Sequence, residues 1–186
     1  MNVLALSGSR RTASINSALL RCTARLASPE LHVRLFPTLG ELPLFNPDLD
    51  RPGLLPDPVQ GLRMEVAATD ALIIASPEYA HGISGTMKNA LDWLVSYEGF
   101  VGKAVAVFNT SPRAHHAHDA LLEILTTMSA HVIREATLVL PLLGSGLSAE
   151  AMQHDPAVAA AVRGALHHLQ QALSRRAPAE PNFPVS

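Results

Sequence analysis

Polar side chains suited to phosphate binding cluster around one arginine near the amino terminus. Ser9, Arg11, Ser14 and Asn16 follow an apolar run and lie within one short segment. A terminal phosphate presents three oxygen atoms that accept hydrogen bonds, and an arginine guanidinium offers a planar fork of donors to such oxygens. The residue types therefore predict the capture of a phosphate monoester.

The elements around this segment would place it at the start of a helix. The apolar run that ends at Ser7 predicts a strand, and an apolar stripe at helical spacing follows at Ile15, Leu19, Cys22 and Leu26. With Ser14 as N-cap, the helix directs free N–H groups and the positive end of its dipole at the same point. The segment has neither a G-x-x-x-x-G-K-[ST] nor a G-x-G-x-x-G motif, which excludes a P-loop and a dinucleotide fingerprint. An ordinary capped loop between strand and helix is the remaining alternative.

The composition limits the partners. Fourteen basic and sixteen acidic side chains give a net charge of −2 without a basic stripe, which argues against nucleic acid and against an anionic membrane surface. We therefore expect a small-molecule partner.

Apolar residues make up 48% of the chain and charged residues 16%, so some apolar surface is expected to be covered in a homodimer or homotetramer. The helix that carries Leu91, Trp93 and Leu94 is the expected contact.

The length of 186 residues predicts one domain over residues 1–176, followed by a mobile, proline-containing tail over residues 177–186. No apolar run approaches the roughly 18 residues of a membrane span, and no secretory pattern is present, so we expect a cytoplasmic protein. The single cysteine, Cys22, excludes an internal disulfide and is expected to be a core residue.

Apolar runs alternate with helix-like segments along the chain. The runs Ala71–Ala75 and Ala104–Phe108 are unbroken, which is typical of strands buried on both faces of a parallel sheet. With weaker strands near 31–36 and 137–140, the pattern predicts an α/β fold with a doubly wound, five-stranded parallel sheet. The strand order 2-1-3-4-5 would bring the polar loops after strands 1 and 3 to one crevice, whereas the order 3-2-1-4-5 would separate them.

Two motifs in the first half of the chain resemble those of the NADPH-dependent FMN reductase family. They are Gly8-Ser9 followed by Arg11, Ser14 and Asn16, and Pro77-Glu78-Tyr79 with His81 followed by Lys88-Asn89-Ala90-Leu91-Asp92-Trp93-Leu94. The resemblance implies a flavodoxin-like three-layer sandwich with helices on both faces of the 2-1-3-4-5 sheet. It also implies bound FMN, NADPH or NADH as reductant, and a small acceptor such as a quinone, an azo compound, a metal oxyanion or free flavin. The second half of the chain matches only in its alternation of strands and helices.

The resemblance further implies which residues contact FMN. Ser9, Arg11, Ser14 and Asn16 would hold the phosphate, and Pro77, Glu78 and Tyr79 would pass along the isoalloxazine and the ribityl chain. The implied set is completed by Ile15, Ala80 and Ser111. A purely structural role is the alternative for Asn16 and Glu78.

The chain departs from the family pattern in its loops. Ala80 stands where Asn is often found, Ser84 where Pro often precedes the glycine, and the loop over residues 110–116 is poor in glycine. We expect this loop to gate the crevice and Arg113 to contact an anionic substrate or a nicotinamide phosphate, with a solvated Arg113 as the alternative. His115 and His118 have i, i+3 spacing, but neither a carboxylate nor a cysteine completes a ligand set, so no metal site is predicted.

A bound flavin would carry the chemistry, so no catalytic side chain is predicted. The expected reaction is ping-pong transfer of electrons from NADPH or NADH through FMN to the acceptor. One alternative is a non-catalytic flavin- or phosphate-binding module, a sensor or partner subunit, on the same fold. A phosphate-ester hydrolase is weaker, because no nucleophile with a positioned base is visible.

Overall fold

Two unbroken apolar segments form the centre of a parallel sheet. The computed structural model describes residues 1–176, and every residue of Ala71–Ala75 and Ala104–Asn109 is buried. The strands are β1 (Asn2–Ser7), β2 (His32–Leu35), β3 (Ala71–Ala75), β4 (Glu78–Tyr79), β5 (Gly82–Ile83), β6 (Ala104–Asn109), β7 (His131–Val132) and β8 (Leu138–Val139). The helices are α1 (Ile15–Leu26), α2 (Asp57–Ala67), α3 (Gly85–Asp92), α4 (His115–Thr127), α5 (Ala149–His154) and α6 (Pro156–Arg176).

All strand pairs of the main sheet are parallel. The order is β2-β1-β3-β6, and both β7 and β8 pair with the far side of β6. The predicted α/β fold with a parallel sheet is confirmed at this level. The sequence predicts one strand near residues 137–140, whereas the structure has two short strands at this edge. They are separate because a 3-10 turn, Arg134–Ala136, takes the chain out of the sheet between them.

Alternate residues of each central strand face different helices. In β1, Val3 and Ala5 pack into the cluster that includes α1, α5 and α6, whereas Leu4 and Leu6 pack against α2, α3 and α4. The side chains of a strand point to opposite faces in turn, so one apolar run supplies both helical layers. The result is a three-layer sandwich with a core on each side of the sheet.

The apolar residues near the end of α3 lie inside the chain. Leu91 and Leu94 are 1% exposed, and Trp93 is fully buried. The expectation that these residues form the contact between subunits is therefore wrong, because they already pack against α2 and the sheet side chains of their own chain. A homodimer or homotetramer stays a prediction that would have to use other surfaces.

Two elements were missed from the sequence. The hairpin of β4 and β5 lies in what was expected to be a plain loop, and α5 precedes the predicted last helix. Both elements are short, so neither offers enough residues for a periodic pattern. No helix within residues 1–176 is long and apolar enough to cross a membrane. The predicted mobile tail, residues 177–186, lies outside the described residues.

Candidate functional site

Loops at the carboxyl edge of the sheet enclose a cleft of about 800 Å³. They follow β1, β3, β6 and β8, and the carboxyl ends of parallel strands meet at one edge of a sheet. A volume of this size lies within the range of small-molecule and cofactor sites. Of the predicted contacts, those that line the cleft are Ser9, Arg11, Ser14, Ile15, Asn16, Pro77, Glu78, Tyr79 and Ser111, whereas Ala80 and Arg113 lie outside its lining.

The loop after β1 ends at the cap of α1. Ser14 Oγ accepts a hydrogen bond from the N–H of Ser17 at 3.1 Å, and the first intrahelical bond runs from the N–H of Ala18 to the carbonyl of Ser14. The N–H groups of Ile15 and Asn16 lie in the first turn of the helix and have no carbonyl partner within it. They are therefore left for a ligand or water. This end of the cleft therefore offers an anion both backbone donors and the helix dipole.

Gly8 lets this loop lie close to the start of α3. A Cβ atom at Gly8 would come within 2.6 Å of Ser84 Oγ, so no larger residue fits without a shift. The N–H of Gly8 also donates to the carbonyl of Ala75 at 2.8 Å. These contacts fix the direction in which the chain leaves β1, and the following residues Ser9 and Arg11 both line the cleft.

Asn16 connects the first loop to the loop after β6. Thr110 Oγ1 donates to Asn16 Oδ1 at 3.1 Å in a buried contact. Asn16 therefore has a structural contact, which joins it to Thr110 rather than to the cap of α1. This bond uses only the amide oxygen of Asn16, so it leaves the two Nδ2–H donors of the side chain available. Asn16 also lines the cleft.

The loop after β3 is a short hairpin, and its glutamate caps another helix. Glu78 Oε2 accepts a hydrogen bond from the N–H of Ala117 at 2.8 Å. Ala117 lies in the first turn of α4, whose own N-cap, Ala114, has no side chain that could accept such a bond. Glu78 thus supplies the missing cap from a distant part of the chain. Tyr79, at 55% exposure, lies beside it in the cleft wall.

The two central residues of this hairpin have left-handed backbones. Ala80 has φ 49° and His81 has φ 61°, and two successive positive φ angles are the mark of a type I′ turn. A residue with a Cβ atom loses about 1–2 kcal/mol in this conformation, and Asn tolerates it better than Ala. Ala80 therefore contributes to the shape of the turn rather than to the lining of the cleft.

Replacing Ala80 by asparagine is expected to raise the free energy of unfolding by up to about 1 kcal/mol, because Asn relieves part of the left-handed strain. Urea denaturation of the two proteins measures the difference. Ala80→Val provides the opposite control, since a β-branched residue is a poor fit at positive φ and should lower stability. A destabilised Ala80→Asn protein would contradict the turn assignment.

The glycine-poor loop after β6 is held by hydrogen bonds from one asparagine. Asn109 Oδ1 accepts from the N–H of Ser111 at 2.9 Å, and Asn109 Nδ2 donates to the carbonyl of Ala114 at 3.1 Å. Such side-chain bonds set the loop conformation without requiring glycine. Ser111 is buried and lines the cleft, whereas Arg113 is exposed outside it.

Four histidines lie around the start of α4. The rings of His81 and His116 stack with their centroids 4.2 Å apart, and the ring centroids of His115 and His116 are 4.1 Å apart. Residues 1–176 contain no group of three or more His, Cys, Asp or Glu that could hold a metal ion.

The fourth histidine, His118, has a buried Nδ1 atom without a hydrogen-bond partner among the described residues. Burial lowers the pKa of His118, and the nearby Asp119 raises it by a smaller amount.

We expect the free energy of unfolding to depend on pH differently in wild type and in His118→Leu. With a folded-state pKa below the unfolded value of about 6.5, His118 binds more protons in the unfolded chain. Its contribution is therefore favourable above pH 6.5 and is lost as the pH falls towards the folded-state pKa. Urea unfolding at several pH values should show wild type losing more stability below pH 6.5 than the leucine variant. Parallel curves would contradict the burial of a neutral His118.

Two arginines of the cleft were missed from the sequence. Arg21 and Arg25 lie on α1, one turn apart, and line the end of the cleft beyond the first loop. Together with Arg11 they outnumber the two carboxylates of the lining, Glu78 and Glu150. Arg21 lies seven residues after Ser14, and Arg25 lies seven residues after Ala18. These spacings place both arginines on one helix face, which could have indicated a shared surface.

Comparisons with known proteins match most of this chain to one protein family. The profile of the NADPH-dependent FMN reductase family matches residues 1–143. An NAD(P)H-dependent FMN reductase of Pseudomonas aeruginosa is 37% identical over 113 residues, which are 60% of this chain and 60% of that protein. A quinone reductase of Escherichia coli strain K12 is 29% identical over 113 residues, with the same two shares. The chain thus spans about 60% of the length of these relatives.

A solved structure shares the fold along nearly the whole chain. The flavoenzyme NAD(P)H:(acceptor) oxidoreductase FerB from Paracoccus denitrificans superposes with a TM-score of 0.75 at 24% sequence identity. The superposition covers 91% of this chain and 97% of FerB. At this identity the likeness supports the layered architecture.

Proposed function

The chain belongs to the NADPH-dependent FMN reductase family, and from that premise we propose that it is an FMN-dependent oxidoreductase. It takes electrons from NADPH or NADH and passes them by a ping-pong mechanism to a small acceptor, a quinone, an azo compound, a metal oxyanion or free flavin. The observation that carries the proposal is the cleft itself. The cleft joins an anion site at the start of α1 to a hairpin and a third loop that leave room for a flat ring.

The residues of the first loop fit the phosphate of FMN. Hydroxyl groups of Ser9 and Ser14, the guanidinium of Arg11 and the free N–H groups of Ile15 and Asn16 converge on one end of the cleft. Three phosphate oxygens accept several hydrogen bonds at once, and their charge is favoured by the helix dipole and by Arg11. We assign these five residues to the phosphate.

The hairpin and the third loop are assigned to the remainder of the cofactor. Pro77 fixes one backbone torsion where the chain leaves β3, and Tyr79 adds an exposed aromatic surface. Ser111 closes the opposite wall, where Asn109 holds its backbone in place. Glu78 acts through α4, because its carboxylate is bonded to the N–H of Ala117.

The chain supplies binding and orientation rather than acid or base groups. Bound FMN would supply two-electron transfer between a nicotinamide and the acceptor. The protein residues hold the phosphate at one end of the cleft and shape the wall on which a ring rests. Because the cleft is open to solvent beside Tyr79, the nicotinamide and the acceptor can reach the ring in turn, as a ping-pong reaction requires.

Steady-state kinetics of the FMN-loaded protein test this function. Initial rates measured against NADPH at several fixed concentrations of 1,4-benzoquinone should give parallel double-reciprocal lines. Intersecting lines would contradict the ping-pong order, and an FMN-loaded protein with no quinone-dependent oxidation of NADPH or NADH would favour the non-catalytic binding module.

A further inference from the structure

One end of the cleft remains unassigned after FMN has been placed. Beyond the first loop, the cleft continues along α1 towards Arg21 and Arg25, with residues 143–150 as the opposite wall. By helix rise, Arg21 and Arg25 lie about 10 Å and 16 Å along the axis from Ser14. A ligand in this part would extend past the phosphate, away from the hairpin.

The helix wall of this end carries two unpaired positive charges. Ser14, Ala18, Arg21 and Arg25 share one face of α1 because their spacing follows the helical repeat. Within residues 1–176, the side chain of neither arginine forms a hydrogen bond or an ion pair. Two guanidinium groups one turn apart, with their donors unused, suit a phosphoryl group.

The opposite wall is held in a fixed position relative to the FMN end. The N–H groups of Leu142 and Leu143 both donate to the carbonyl of Thr110 at 3.0 Å. Gly144 and Gly146 have φ 83° and 66°, a backbone that favours glycine and lets the chain turn sharply there. Since Thr110 also bonds to Asn16, both walls are connected to the first loop.

The side chains of this wall complement a nucleoside. Leu143 is 57% exposed and Leu147 is half-buried, so both offer aliphatic surface to a purine. Glu150 adds a carboxylate, the group that accepts hydrogen bonds from ribose hydroxyls in nucleotide sites. A carboxylate that lines the same cleft as two arginines disfavours a bare phosphate, but it suits a phosphate that carries a ribose.

We propose that Arg21, Arg25 and Glu150 form a second subsite, which binds the adenosine phosphate part of a dinucleotide. Two ligands carry that chemistry, the nicotinamide dinucleotide that serves as reductant and FAD. The inference rests on the proposed function, because it presumes that FMN or its equivalent fills the other end of the cleft. It also moves the expected contact with a nicotinamide phosphate from Arg113 to α1.

Calorimetric titration of the FMN-loaded protein with adenosine 2′,5′-bisphosphate tests the subsite directly. The double variant Arg21→Ala/Arg25→Ala should bind this probe at least tenfold more weakly than wild type, with an unchanged Kd for FMN. Arg113→Ala is the matched control, an exposed arginine outside the cleft, and should bind the probe as wild type does. Glu150→Gln should weaken 5′-AMP binding and leave the binding of inorganic phosphate unweakened.

Further titrations identify the source of the adenosine phosphate. If the probe competes with NADPH, the subsite serves the reductant, and if FAD binds wild type more tightly than FMN but not the double variant, it serves FAD. Equal probe affinity in wild type and the double variant would overturn the subsite, as would a loss confined to Arg113→Ala. A protein that does not load FMN would instead contradict the proposed function, so the two failures are distinguishable.

Discussion

Replacing Arg11 by alanine is expected to weaken FMN binding about ten- to a hundredfold. The guanidinium lines the cleft beside the start of α1, where helix geometry leaves the N–H groups of Ile15 and Asn16 for a ligand. Hydrogen bonds to charged groups are worth about 1.5–3 kcal/mol each, which corresponds to this change in Kd. Fluorescence titration of the apoprotein with FMN measures it, since flavin emission changes on binding.

The neighbouring arginine provides the control for this experiment. Arg10 is exposed, lies in the same loop and does not line the cleft. Arg10→Ala removes the same charge from nearly the same place, so it tests whether long-range attraction alone accounts for the effect. Unchanged FMN affinity in Arg11→Ala, or an equal loss in both variants, would refute the phosphate contact of Arg11.

Replacing Trp93 by alanine is expected to lower the free energy of unfolding by about 3–5 kcal/mol, the range for large aromatic residues in cores. The indole is fully buried, and its Nε1 atom donates to the carbonyl of Pro43 at 2.8 Å. The rings of Trp93 and Phe45 pack edge to face with their centroids 5.0 Å apart. The substitution therefore removes the contacts that hold the long segment after β2 against α3. Urea denaturation at two protein concentrations is the measurement.

A surface residue of the same region supplies the comparison. Val95 is 64% exposed, so Val95→Ala should change stability by less than about 0.5 kcal/mol. If Trp93 packs within its own chain, the loss in Trp93→Ala is the same at both protein concentrations. A loss that shrinks on dilution would show that Trp93 stabilises an oligomer, and it would restore the original assignment of this helix to a subunit contact.

The central strands could be predicted because their apolar runs are long and unbroken. Ala71–Ala75 and Ala104–Asn109 are buried on both faces, which leaves a continuous pattern in the sequence. The edge of the sheet could not be predicted as well, since β7 and β8 each have two residues. Contact with β6 sets their positions, and that contact leaves no local sequence signal.

The first loop of the site followed from the sequence because its chemistry is local. Ser14 caps the helix that begins at the next residue, and such a cap has a recognisable residue type and spacing. The roles of Glu78 and Asn16 depend on partners 39 and 94 residues away, so no spacing rule could indicate them. The spacing of Arg21 and Arg25 places them on the same helix face as Ser14, but that face becomes part of the cleft only when residues 143–150 fold over α1.

Anaerobic titration of the FMN-loaded protein with NADPH tests whether the chain is an FMN-dependent oxidoreductase. We expect the absorbance of the bound flavin to be bleached by about one NADPH per FMN and to return when 1,4-benzoquinone is added. Flavin that remains oxidised with both NADPH and NADH, or a protein that binds no FMN at all, would contradict it.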